Sequence, residues 1–205
     1  MGSGYQKKIE SRIEKYDIGT AFSASDFLDI AEMNTVNQIL FRLSNSGKIR
    51  RLIKGIYDKP GYSKIIKEYS APMIDKVASA LAKKFNWMIA PAGDVALNLL
   101  HVTTQIPVCW DYVSDGPNRE YEIDRIHLRF RHIMPREING YHTITVMTIQ
   151  GIRAIGKNKV SDENINRMRT ALNPEEKAIL LREGRTAASW VYEYIQKVCE
   201  EKYNV

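Results

Sequence analysis

The segment from Met33 to Pro60 constrains the fold of this chain more than any other, because it combines a helical apolar spacing with a glycine-centred turn. Its first half carries apolar residues at i, i+3, i+4 and i+7, the spacing of one helix face, namely Val36, Ile39, Leu40 and Leu43. We expect the helix to begin at Asn34, a favourable N-cap residue, and to end before Gly47, which can adopt a left-handed conformation. The segment therefore predicts a helix with one buried face.

The opposite face of this predicted helix is polar. Its side chains can hydrogen-bond to the edges of bases in the major groove, and they are Asn34, Thr35, Asn37, Gln38 and Arg42. Phe41 could touch a thymine methyl group or pack beneath the segment that follows, and packing is the better expectation for a phenylalanine. The polar face is a candidate for sequence-specific DNA recognition.

The second half of the segment predicts a short basic β-hairpin. Residues 48–53 and 56–58 flank a two-residue Lys54-Gly55 turn, in which the glycine can supply a positive φ. Between Arg42 and Pro60 a single acid, Asp58, accompanies six basic residues: Arg42, Lys48, Arg50, Arg51, Lys54 and Lys59. Since the whole chain has a net charge of +6, most of the excess lies here. Such a cluster suits DNA phosphates, although basic runs are also common on ordinary solvated surfaces.

The residues before this segment supply the remaining parts of a DNA-binding domain. We expect a helix over residues 5–16 and a short helix over residues 24–31. Ser23 and Asp26 have the spacing of a capping box, and Phe22 and Phe27 that of a hydrophobic staple. The order of helix, short helix, turn, polar-faced helix and basic hairpin predicts a winged helix-turn-helix domain over residues 1–62. Such a domain could also serve to dock another protein.

The remainder, residues 63–205, predicts an α+β domain with a small, mainly antiparallel sheet and C-terminal helices. An amphipathic helix over residues 74–85 should open it, after a polar connector over residues 61–69. Alternating or apolar runs predict strands at residues 87–90, 108–113, 121–130 and 141–147. Helices should follow Thr148, Ser161, Asn173 and Thr186, so the fold class of the chain is α+β.

Composition narrows the functional classes. Cys109 and Cys199 lie far apart and outside any metal-ligand spacing, as in a reduced cytoplasmic protein. No apolar run approaches the roughly 18 residues of a membrane span, and no signal peptide opens the chain. We expect no membrane partner.

An enzymatic function is the less favoured alternative. Glu122 and Asp124 would share a strand face, and paired carboxylates can hold Mg²⁺ for phosphoryl chemistry. Further polar candidates follow nearby in sequence, namely Asp111, Asp115, His127 and His132. However, the chain has no nucleotidyltransferase pattern, no phosphate-binding glycine-rich loop, no His-Glu-x-x-His and no Gly-x-Ser-x-Gly. We expect no catalytic residue, metal or cofactor.

A ligand-responsive transcription regulator is another alternative. In that case the second domain would hold a small-molecule pocket lined by aromatic residues, for which the candidates are Trp87, Trp110, Tyr112 and Tyr121. Aromatic residues at such positions are more often part of a hydrophobic core.

The chain also resembles a known family. The residues that carry the resemblance are 36–43, Gly47-Lys48-Ile49, Gly55-Ile56-Tyr57 and Pro60. Together they resemble the N-terminal winged helix of AbiEi-family antitoxins, which belong to bacterial type IV toxin–antitoxin systems of abortive infection. Residues 91–100 and 104–107 resemble that family's segment after its first long helix.

The resemblance implies a repressor of its own operon that binds double-stranded operator DNA, to which a homodimer could bind. It also implies an antitoxin that counters a nucleotidyltransferase-like toxin. In that family the antidote effect need not involve a stable complex with the toxin.

Overall fold

A computed structural model describes residues 2–65 and 67–200 of the chain. The protein folds as two compact α+β units, Met1–Trp87 and Met88–Val205. The first unit extends well beyond the predicted boundary between residues 62 and 63. The predicted domains include residues 1, 66 and 201–205, which lie outside the described residues. The mixed α+β class is confirmed.

The first unit contains three helices, a three-stranded antiparallel sheet of order β1-β3-β2 and a separate two-stranded hairpin, β4-β5, among its described residues. The elements are α1 (Gly2–Glu14), β1 (Ala21–Phe22), a 3₁₀ helix (Ala24–Phe27), α2 (Met33–Asn45), β2 (Arg50–Ile53), β3 (Ile56–Asp58), β4 (Tyr62–Ser63), β5 (Glu68–Tyr69) and α3 (Ile74–Phe85).

Helix α2 buries the face that its sequence predicts. Its buried residues are Val36, Ile39, Leu40 and Leu43, which pack with the buried side of α1. Gly47 has φ +73° just after the helix, as predicted for a C′ residue. The expected N-cap at Asn34 is wrong, because the helix begins at Met33 with Glu32 as its N-cap residue.

The predicted second helix is only one 3₁₀ turn. Its capping box is present, since the Ser23 N–H donates to Asp26 Oδ2 at 2.8 Å. The Phe22 and Phe27 rings meet edge to face at 5.7 Å, as a hydrophobic staple requires. Arg12 Nη1 also donates to the Asp26 carbonyl at 2.9 Å, which links this turn to α1.

Helix α3 belongs to the first unit and not, as predicted, to the second. It packs against β1 and β3, and Lys83 on this helix forms an ion pair with Asp26. The amphipathic spacing correctly predicted a helix but carries no information about its packing partner. The preceding residues also differ from prediction, because β4 and β5 form a hairpin where we expected a polar connector.

The second unit has a four-stranded mixed sheet and five helices in its described part. The elements are β6 (Ile89–Pro91), α4 (Gly93–Leu99), β7 (Cys109–Ser114), β8 (Arg119–Ile123), β9 (Ile126–His132), a 3₁₀ helix (Pro135–Glu137), α5 (Thr143–Ile155), α6 (Asp162–Ala171), α7 (Pro174–Glu183), a 3₁₀ helix (Gly184–Thr186) and α8 (Ser189–Cys199). The sheet order is β6-β7-β9-β8, with β7 and β9 parallel and the other neighbours antiparallel.

The strand predicted over residues 141–147 is wrong, because these residues lead into α5. A carboxylate stabilises the start of this helix: Glu183 accepts hydrogen bonds from the His142 N–H at 3.0 Å and from Thr145 Oγ1 at 2.8 Å. Thr148, the expected N-cap, lies inside α5 and donates from Oγ1 to the Ile144 carbonyl at 2.8 Å. Contacts of α5 with α4, α7 and α8 override the strand-like alternation.

The later helix starts are better predicted. Capping boxes open α6 and α7, pairing Ser161 with Asn164 and Asn173 with Glu176. Thr186 lies in a 3₁₀ turn, and α8 begins three residues later than expected. Across the described residues, no helix combines the length and apolarity needed to cross a membrane.

Candidate nucleic-acid interface

The polar face of α2 is directed away from the core of the first unit. Asn34, Asn37, Gln38 and Arg42 are exposed and Thr35 is half-buried. Across the described part of the chain, none of these five side chains forms a hydrogen bond or ion pair with another residue. Their donors and acceptors are therefore available to an external partner.

The predicted hairpin follows α2. Strands β2 and β3 are antiparallel and joined by the Lys54-Gly55 turn, in which Gly55 has φ +78°. Arg51 and Lys54 are exposed, and the Arg51 guanidinium has no ion-pair partner within the described ranges. The hairpin thus presents two cations to solvent near the exposed face of α2.

Arg50 has a different role from Arg51. Its Nε and Nη2 atoms donate to the two carboxylate oxygens of Asp58 at 3.0 and 2.5 Å, and Nη1 donates to the Ser70 carbonyl at 2.8 Å. The Asp58 side chain is 0% exposed. Because a buried carboxylate requires a paired charge and hydrogen bonds, the structure gives Arg50, a predicted DNA contact, an internal structural role.

Two further cations of the predicted basic cluster have contacts with α1. Lys48 Nζ lies 3.2 Å from Glu10 Oε2, although more than half of its side chain is exposed. Hydrogen bonding from Gln6, and then from Lys48, lowers the pKa of Glu10. Lys59 Nζ donates to the carbonyls of Glu14 and Tyr16 at 2.7 and 2.6 Å, at the C-terminal end of α1. The outward cations of the cluster are therefore chiefly Arg42, Arg51 and Lys54.

Helix α3 adds one cation that sequence analysis missed. Lys84 Nζ donates to the Lys54 carbonyl at 3.3 Å and lies 5.2 Å from the centre of the Phe85 ring. Burial, and then repulsion from Lys54, lowers the pKa of Lys84. No sequence signal connects these two lysines, because they are 30 residues apart and were assigned to different domains.

These elements surround an open groove of about 500 Å³. The groove is lined by residues of four elements. Helix α2 contributes Asn37 and Phe41, and the hairpin contributes Arg51 and Lys54. Ser23 and Ser25 lie at the start of the 3₁₀ helix, and Lys84 and Phe85 lie on α3. Phe41 is half exposed here, so the expectation that it packs beneath the hairpin is wrong. The combination of cations, polar groups and aromatic edges suits a ligand with a phosphate and an apolar sugar face.

A family model matches residues 8–180, a range that runs from α1 into α7. The chain belongs to the DUF6088 family. This family is described as one of unknown function. A comparison with curated proteins found no match.

The polar residues considered for catalysis in this DUF6088 protein have other partners. Asp111 forms a two-pronged ion pair with Arg129, at 2.6 and 2.9 Å, which holds the pKa of Arg129 above its usual range. Asp115 accepts a hydrogen bond from the Met88 N–H at 2.8 Å. His132 Nδ1 lies 2.9 Å from the Gly116 carbonyl oxygen.

The expected carboxylate pair does not form on one strand face. Glu122 lies opposite His127 in β8, whereas Asp124 occupies the turn before β9 with φ +56°. Within residues 2–65 and 67–200, no group of three or more His, Cys, Asp and Glu residues could hold a metal ion.

Three of the four aromatic residues considered for a ligand pocket form ring contacts. Trp87 lies in the first unit and stacks on Phe85 at 4.7 Å, whereas Tyr112 and Tyr121 contact the Phe130 ring in the second.

Burial raises the pKa of the Cys199 thiol to about 11 and also raises that of Cys109. Both thiols therefore stay protonated near neutral pH, which makes them weak nucleophiles.

Proposed function

We propose that this DUF6088 protein binds double-stranded DNA through a winged helix-turn-helix in its first unit. In this proposal α2 is the recognition helix and the β2-β3 hairpin is the wing. The observation that carries the proposal is the row of outward polar side chains on α2 that have no partner in the described structure, beside a hairpin that exposes Arg51 and Lys54.

The residues divide into two chemical groups. Asn37, Gln38 and Arg42 have the donor and acceptor geometry for base edges, where each two-pronged contact contributes about 1–3 kcal/mol of discrimination. Arg51 and Lys54 suit phosphates, which give affinity without sequence preference. Asn34 and Thr35, at the start of α2, are placed to extend the contact with the DNA.

The biological role that we propose rests on the resemblance to AbiEi-family antitoxins. The protein would repress its own operon in the cytoplasm and would counter a nucleotidyltransferase-like toxin through its second unit. The family model that matches residues 8–180 includes parts of both units.

The deciding experiment for DNA binding is fluorescence anisotropy with the DNA upstream of the protein's own gene. A scrambled duplex of equal composition is the control, and both are titrated across a salt series. We expect preferential binding of the upstream DNA and an affinity that falls steeply with salt. Equal and negligible binding to both duplexes at low salt would overturn the proposal and would favour a protein partner for the α2 face.

Variants separate recognition from affinity. Gln38→Ala combined with Arg42→Ala should abolish the preference for the upstream DNA but retain weak non-specific binding, because the phosphate contacts remain. Arg51→Gln combined with Lys54→Gln should weaken binding to both duplexes and flatten the salt dependence. If the first pair leaves the preference unchanged, α2 is not the recognition helix.

The antitoxin role needs its own test. If a neighbouring gene encodes a nucleotidyltransferase-like protein that arrests growth, co-expression with this chain should restore growth. The Gln38→Ala/Arg42→Ala variant should also restore it when expressed from a foreign promoter, because the second unit is unchanged. Failure of the unaltered chain to restore growth would refute the antitoxin role and leave DNA binding standing.

A further inference from the structure

Two lysines, Lys54 and Lys84, line one groove at the tip of the hairpin. Lys84 Nζ is 3.3 Å from the carbonyl oxygen of Lys54, so it lies directly against the turn. A Cβ atom added to Gly55 would be 2.6 Å from Lys84 Nζ. The glycine therefore serves two purposes, allowing the positive φ of the turn and the close approach of the lysine.

No acidic group compensates this pair. Within the part of the chain that the structure describes, neither Lys54 nor Lys84 forms an ion pair, although the Lys84 side chain is half-buried. The adjacent Lys83 behaves differently, because it pairs with the Asp26 carboxylate. Two like charges that line one groove without a counter-charge repel each other, and an anion bound in the groove would relieve this repulsion.

The surroundings of the pair indicate the kind of anion. The groove beside it contains the half-exposed rings of Phe41 and Phe85, together with the Asn37 and Ser25 side chains. A phosphate could contact the ammonium groups while an attached sugar lies against the rings. A small inorganic anion would leave this apolar surface uncovered.

We propose that Lys54 and Lys84 together bind one phosphodiester of the DNA backbone in this groove, so that α3 forms part of the DNA-binding surface. This inference rests on the proposed function and deepens it. It places a phosphate between the wing and the side of α2 that carries Asn37 and Phe41, and thereby fixes the position of the wing on the duplex. The hydrogen bond from Lys84 to the turn holds the wing in place before DNA arrives.

The test is the salt dependence of binding to the upstream DNA for Lys84→Gln in the full chain. Each lost phosphate contact reduces the slope of log K against log salt by about 0.9. Because both lysines contact the same phosphate, Lys54→Gln combined with Lys84→Gln should lose roughly 3.5-fold less affinity than the unaltered chain between 50 and 200 mM salt. Lys84→Gln alone should show a smaller reduction of the slope, since Lys54 still contacts that phosphate. Lys76→Gln, an exposed lysine of the same helix, is the matched control and should keep the full slope.

Lys84→Arg distinguishes a phosphate contact from a packing role, because it preserves the charge and should restore most of the slope. Thermal unfolding of each variant shows whether the fold is intact. An unchanged slope for Lys84→Gln, with a reduced slope for Arg51→Gln, would overturn this inference while the proposed function stands. Absence of binding by the unaltered chain would instead overturn the proposed function itself. A third outcome is that the chain binds inorganic phosphate without DNA, and that Lys84→Gln abolishes this binding but leaves the salt slope for DNA unchanged. That result would indicate a site for free phosphate and would overturn the inference.

Discussion

Replacing Arg50 by glutamine should destabilise the first unit, whereas the same replacement of its neighbour Arg51 should weaken DNA binding alone. Arg50 is the ion-pair partner of Asp58, whose side chain is 0% exposed, while the Arg50 side chain is 25% exposed. Removing one partner of a buried ion pair costs about 3–5 kcal/mol, because the other charge is left uncompensated. Since part of Arg50 already contacts water, we expect a loss near the lower limit, about 3 kcal/mol.

Urea unfolding followed by circular dichroism measures this loss. For a unit of 87 residues, about 3 kcal/mol corresponds to a decrease of roughly 12–24 °C in Tm. Arg51→Gln is the matched control and should change the free energy of unfolding by less than about 0.5 kcal/mol, as is usual for exposed positions. Adding Asp58→Asn to Arg50→Gln removes the buried charge and should recover part of the loss. If Arg50→Gln is as stable as Arg51→Gln, the internal role assigned to Arg50 is refuted.

Two further predictions concern the stability of each unit. Burial opposes ionisation of Glu183, but hydrogen bonds from His142 and Thr145 outweigh it and lower its pKa from 4.5 to about 2. Because the folded pKa is depressed, this stabilisation is present above about pH 4.5 and is lost as the pH falls towards 2. Glu183→Gln should therefore reduce the free energy of unfolding by about 1.5–3 kcal/mol at pH 7. It should also flatten the dependence of stability on pH between those two pH values, as measured by urea unfolding. Phe27→Ala should cost about 3–5 kcal/mol, because the ring is 0% exposed and packs on Phe22 and Tyr16; an unchanged urea midpoint would contradict its place in the core.

Sequence predicted well the features whose causes are local. The buried face of α2 follows from spacing alone, and the turns at Gly47 and Gly55 follow from the requirement for positive φ. The predicted helix starts after Ser161 and Asn173 likewise depend on short-range hydrogen bonds, the capping boxes that open α6 and α7. In each case the residues that determine the structure lie within a few positions of one another.

Prediction failed where distant residues decide. The β-branched alternation before Thr148 suggested a strand, but Glu183, 41 positions after His142, stabilises a helix start there. The amphipathic pattern of α3 required a buried face, yet nothing local indicated that this face packs on β1 and β3. Lys84 is absent from the predicted DNA-binding residues for the same reason, because its contact with the hairpin joins residues that are distant in sequence.

The contrast between Arg50 and Arg51 shows why charge counting was only partly informative. Successive residues of a strand point to opposite faces, so two adjacent arginines that are equivalent in composition have different functions in β2. One neutralises the buried Asp58 and the other faces solvent. Conversely, Lys84 reaches the β2-β3 hairpin from a helix outside the basic segment. The positive charge that this surface exposes is therefore set by strand alternation and by the packing of α3, and the sum over residues 42–60 overlooks both.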